Sequence, residues 1–120
     1  MHNHRKPIYW ISSALKDMRS LPEDVQDVFG QALLDVQFGD TPSGARRFGE
    51  GVRSEVWKLA SVHDGDSYRA AYTAHFSDAI YVLDVFVKTS KHGIATPHSV
   101  RERVTSRFLL AEQHHFKRNR

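Results

Sequence analysis

The residues best suited to chemistry are cations placed along and beyond two apolar strands. Arg69 lies in the alternating run from Ser67 to Phe76, Lys88 closes the run from Ala79 to Lys88, and Lys91 and His92 follow in a polar loop. A guanidinium offers a planar fork of donors that fits two phosphate oxygens at once, and a lysine adds a compact charge. Histidine titrates near pH 6.5 and can serve as a local acid or base. Together these groups could bind a phosphodiester, stabilise charge developing on it and move a proton. Each has a plainer alternative. Arg69 could form a cross-strand salt bridge to Glu55 or Asp84. Lys88 could be an ordinary solvated strand end, and His92 an exposed loop residue.

Strand parity decides what could join them. Tyr68, Ala70, Tyr72, Ala74 and Phe76 fall on one face of their run and read as core, which leaves Arg69, Ala71, Thr73 and His75 on the other. Asp84, Phe86 and Lys88 share a face of the next strand, and Arg53, Glu55 and Trp57 share one of the preceding strand. On that parity Arg53, Thr73 and His75 are added as candidate contacts to a polyanion, with His75 a rival proton carrier to His92, and Lys58 is added as a further cation of the preceding strand.

The charge distribution agrees. Residues 1–85 carry 9 Lys and Arg against 12 Asp and Glu, net −3, whereas residues 86–120 carry 8 against 2, net +6. A basic C-terminal third suits nucleic acid; a solvated basic tail is the simpler alternative. The 120 residues suffice for one domain with one modest core. The absence of cysteine excludes disulfides, thiolate metal sites and a cysteine nucleophile, and fits a reducing cytoplasm. Met1 to Pro7 is polar and basic, and the four residues Ile8 to Ile11 are too few for a signal peptide or a membrane span. His2, His4, His114 and His115 lie at opposite ends without supporting carboxylates, and Asp64-Gly65-Asp66 lacks the last glutamate of a calcium loop, so neither a metal nor another cofactor is expected.

The elements that must position these groups follow from periodicity. Ile8 to Ile11 reads as a short strand, and Ala14 to Ser20 as a short helix with Leu15 and Met18 on one face. Pro22-Glu23-Asp24 opens a second helix reaching about Phe38, with Val25, Phe29, Ala32, Leu33 and Val36 as its apolar stripe. Asp40 to Gly51 is a loop, Val52 to Ala60 a strand, and Asp64-Gly65 a tight turn into Ser67–Phe76. Ala79 to Lys88 is the most apolar strand and reads as central. Pro97 opens a last helix bearing Val100, Val104, Phe108 and Ala111, and residues 113–120 read as a basic flexible tail. The whole is α+β, with the helices on one side of an antiparallel sheet.

Several segments carry a resemblance. They are Lys6-Pro7, Leu21-Pro22-Glu23-Asp24-Val25-Gln26, Glu55, the stretch from Asp64 to Tyr72, the stretch from Ile80 to Lys88, and Ser90-Lys91-His92-Gly93-Ile94-Ala95-Thr96-Pro97. Together they resemble the phage-derived, HigB-like branch of the RelE/ParE toxin superfamily, over roughly Lys6 to Glu112. The resemblance implies a single domain over residues 1–120, a small antiparallel twisted sheet with two N-terminal helices packed on it and a C-terminal helix. It also implies a metal-independent, ribosome-dependent messenger-RNA endoribonuclease that inhibits translation. In such chemistry the 2′-hydroxyl attacks the adjacent phosphate. On that reading Arg69, Lys88, Lys91 and His92 are catalytic, and Arg53, Lys58, Thr73 and His75 bind RNA. The partners implied are a cognate helix-turn-helix antitoxin, messenger RNA on the ribosome and, only through the antitoxin, operator DNA, in the cytoplasm and without a membrane. The chain departs from the family pattern at Thr89, where a second lysine is common, and near His92, where a basic residue is usual and here is histidine. A ParE-like gyrase poison and a non-catalytic nucleic-acid-binding module stay open as alternatives. The basic loop from Lys88 to His92 favours the nuclease.

Overall fold

The computed structural model describes residues 4–88 and 96–119. Its elements run β1 (Ile8–Trp10), α1 (Ala14–Arg19), α2 (Glu23–Gln37), β2 (Arg46–Arg47), β3 (Trp57–His63), β4 (Asp66–Thr73), β5 (Ile80–Lys88) and α3 (His98–Arg118). The sheet order is β1-β5-β4-β3-β2, with β1 parallel to β5 and every other pair antiparallel. The expected antiparallel sheet thus gains one parallel edge. The Ile80 N–H bonds the Pro7 carbonyl and the Ile11 N–H bonds the Val82 carbonyl, both at 2.9 Å.

Local chemistry explains most of these elements. Pro22 caps α2 in an extended conformation, and Glu23 and Asp24 face its positive end. Val25, Phe29, Leu33 and Val36 form its buried stripe. The β3–β4 hairpin turns through Asp64 and Gly65, at φ of 50° and 82°, the pair of positive values that a two-residue primed turn needs.

Two cores lie on opposite faces of the sheet. On the first, α1 and α2 cover Leu59, Tyr68, Ala70, Tyr72, Ile80, Val82 and Val85. On the second, Val104, Phe108 and Ala111 of α3 meet Ala71, Tyr81, Leu83 and Phe86. The expectation of helices on a single side is corrected here. β5 is apolar on both faces, and a strand of that kind must be covered twice.

A β-bulge in β5 sets how these faces meet. Ala71 pairs with Asp84 but Tyr72 pairs with Val82, so Leu83 is the extra residue. Strict alternation from Tyr81 to Val87 fails there, and Leu83 and Asp84 both serve the α3 side. Arg107 Nη1 donates to the Leu83 carbonyl at 3.0 Å.

Two further expectations change. The strand read at Val52–Ala60 begins only at Trp57, because the preceding residues turn; Phe48 and Val56 close that loop through a 2.9 Å backbone bond. Trp57 consequently packs against the α2 core, away from Arg53. The segment read as a flexible tail is helical through Arg118. It is held by polar bonds that hydrophobic periodicity does not register: Arg118 to Asp78 at 3.1 Å and His114 Nδ1 to the Tyr81 hydroxyl at 2.7 Å.

Candidate functional site

Cross-strand register builds the site. On the α3 side, Arg46 pairs with Lys58, Lys58 with Ala71, Ala60 with Arg69, Arg69 with Phe86, and Ser67 with Lys88. Directly opposed residues share a face, and Lys58 and Lys88 each stand diagonally from Arg69, within reach of long side chains. The α3 helix covers Ala71, Tyr81, Leu83, Asp84 and Phe86 on this face. Beyond it Lys58, Arg69 and Lys88 remain partly open to solvent. Phe48 and Phe86, with ring centroids 6.3 Å apart, form an aromatic floor, and Lys58 Nζ stands 5.4 Å from the Phe48 ring.

Arg69 is not used up by a carboxylate. Its Nη1 donates to the Ser67 hydroxyl and, at 3.5 Å, to the Tyr68 carbonyl. The two acids that could have claimed it are engaged elsewhere. Glu55 pairs with Arg53 at 3.1 Å, and Asp84 pairs with Arg103 and Arg107 at 2.8 and 2.9 Å. Burial lowers the Arg69 pKa, but a guanidinium keeps its proton under all ordinary conditions.

Lys58 is shifted downward, first by burial and then by the nearby charges of Arg69, Lys88 and Arg46, with Glu50 opposing. Burial disfavours the Glu50 carboxylate, yet the Thr96 N–H and the charges of Lys58 and Lys88 outweigh this and hold its pKa below the ordinary value. Arg46 and Glu50 escaped the sequence reading because both fall in or next to a stretch read as loop. The one available signal was a carboxylate between two glycines, Gly49-Glu50-Gly51.

Thr73, Arg53 and His75 do not join this cluster. Thr73 is fully buried, donates to the Glu55 carbonyl at 2.7 Å and accepts from the His75 N–H at 3.2 Å, so it cannot contact RNA. It lies four strand residues from Arg69, about 13 Å along β4. Arg53 and His75 gather at that far end: Arg53 pairs with Glu55, stands 3.8 Å from Glu112 and lies over the Phe108 ring at 4.6 Å. Hydrogen bonding to Glu55 raises the Arg53 pKa, and the same contact lowers that of Glu55. His75 is exposed, its ring edge-on to Phe76 at 5.1 Å. Lys91 and His92 lie outside the described residues.

A family model described as phage-derived protein Gp49-like (DUF891) matches residues 16–113. The chain belongs to the Gp49-like family. Among solved structures, this Gp49-like chain is similar to a mutant of the E. coli toxin RelE in the free state, with a TM-score of 0.59 and 18% identity over 86% of this chain and 97% of that one. It is also similar to the isolated E. coli RelE toxin, with a TM-score of 0.51 and 19% identity over 86% and 98% of the two chains. At such identities the likeness establishes the RelE fold. No curated protein matches. No helix among the described residues is long and apolar enough to cross a membrane.

Proposed function

We propose that this Gp49-like protein is the toxin of a toxin–antitoxin pair and inhibits translation by cutting messenger RNA on the ribosome. The observation that carries the reading is the cluster of Lys58, Arg69 and Lys88 on an open part of the sheet, with Arg69 paired to no carboxylate among the described residues. A phosphodiester is the anion such a cluster suits, and the RelE fold supports RNA as its source.

The reaction needs no metal. The substrate's 2′-hydroxyl attacks the neighbouring phosphorus, a pentavalent phosphorane forms, and the 5′-oxygen leaves with a proton, giving a 2′,3′-cyclic phosphate end. Arg69 and Lys88 stabilise the charge on the phosphorane. The neutral form of Lys58, which stands diagonally from Arg69 and is favoured by burial and the neighbouring cations, accepts the 2′-hydroxyl proton, and water protonates the departing 5′-oxygen. The ribosome presents the codon, so the protein needs few base contacts of its own. A helix-turn-helix antitoxin covers the basic face, neutralises the toxin in the cytoplasm and links it indirectly to operator DNA.

The test is to add purified protein to translating ribosomes and map new RNA ends. Cuts confined to translated messages support the proposal. Intact messages across several codons, together with loss of gyrase supercoiling activity, overturn it in favour of a gyrase poison.

A further inference from the structure

Glu50 is built into the fold in an unusual way. It sits at φ 56° between Gly49 at 72° and Gly51 at 82°, three consecutive residues in the left-handed region. A residue with a Cβ enters that region at a cost, and one held there by its surroundings is a pointer to function. The strain aims the carboxylate in two directions. Oε1 accepts the Thr96 backbone N–H at 2.8 Å, and Oε2 stands 4.0 Å from Lys58 Nζ. Arg101 of α3 secures the arrangement, donating to the Thr96 carbonyl at 3.1 Å and the Glu50 carbonyl at 3.4 Å.

We propose that Glu50 is a positioning residue of this site: it holds the Lys58 ammonium over the aromatic floor, fixes it to the start of α3, and sets how readily it gives up and regains its proton. The assignment deepens, and rests on, the nuclease reading above. Among the described residues, Lys58 is faced by cations from three strands, Arg46 of β2, Arg69 of β4 and Lys88 of β5, and by one anion, Glu50, from the loop before β3. Without that anion the three cations and partial burial would drive Lys58 further towards the neutral amine. Its side chain is 24% exposed, so screening by water weakens the pairing without abolishing it. Glu50 therefore offsets part of the push that burial and the neighbouring cations exert towards the neutral amine, the form that accepts the 2′-hydroxyl proton.

The experiment compares wild type with Glu50→Gln. Glutamine keeps an oxygen for the Thr96 N–H and keeps the size of the side chain, but removes the charge. The midpoint of Lys58, followed by NMR at its Cε and Nζ, is expected to fall in Glu50→Gln. The rising limb of cleavage rate against pH is expected to move to lower pH with it. The reciprocal variant Lys58→Met is expected to raise the Glu50 midpoint, which keeps the test open if Glu50→Gln fails to fold. A Lys58 midpoint unchanged in Glu50→Gln, or a Glu50 midpoint unchanged in Lys58→Met, overturns the assignment whatever the activity. Midpoints that move together in a wild-type protein that never cuts RNA uphold the coupling and overturn the nuclease reading alone.

Discussion

Asp84, with a side chain 1% exposed in the middle of β5, accepts from Arg107 of α3 at 2.9 Å. Arg103, one turn earlier on the same helix, holds the other carboxylate oxygen at 2.8 Å through a half-open side chain. The bulge at Leu83 lets this work: it sends Asp84 to the α3 side and leaves the Leu83 carbonyl for Arg107. The pairing docks the helix that borders the cation cluster. Asp84→Ala leaves the Arg107 charge, 12% exposed, without its partner, and breaking a buried pair in this way costs about 3–5 kcal/mol. Urea unfolding is expected to show that loss, whereas Arg103→Ala costs less because Arg103 is partly solvated and Arg107 still pairs with Asp84.

Much of this was legible in the sequence, and the failures share causes. Clean alternation in β4 assigned Tyr72 to the core, where burial pushes its pKa up to about 12. The same alternation placed Arg69 opposite that core. The β5 bulge was invisible because Leu83 and Asp84 satisfy a strand pattern equally well with or without it. Thr73 had the right parity for a ligand contact, but parity says nothing about depth, and its hydroxyl is spent on the Glu55 carbonyl. The end of α3 was read as a tail because its anchors are ion pairs and a tyrosine hydroxyl, which leave no hydrophobic period.

That last turn of α3 carries a pH dependence. Hydrogen bonding to Arg118 holds the Asp78 pKa below its ordinary value, and the same contact raises that of Arg118. A carboxyl whose folded pKa is depressed contributes stability in full above its unfolded value, about 3.9, and loses it as pH falls through the folded value. Amide exchange at His115 to Asn119 is expected to stay protected at neutral pH and to open below about pH 4. Asp78→Asn is expected to weaken that protection at neutral pH and to flatten its change with acid.

The β3–β4 hairpin offers a test free of packing. Gly65 lies at φ 82°, and a Cβ added there meets nothing within 4 Å. Gly65→Ala is therefore expected to cost only backbone strain, about 1–2 kcal/mol. Thermal unfolding measures it, and the RNA-cutting activity of the folded fraction is expected to be unchanged.

The central claim is that Arg69 meets the scissile phosphate. Losing one such charge donor is expected to slow cleavage about 100- to 1,000-fold. Arg69→Lys is not expected to restore the rate, because an ammonium cannot replace the two-point fork. The most direct measurement is the rate at which wild type and Arg69→Ala generate 2′,3′-cyclic phosphate ends on a message held by ribosomes. Rapid formation by wild type and near-silence from a folded Arg69→Ala protein is the expected result. Equal rates from the two proteins would contradict the account.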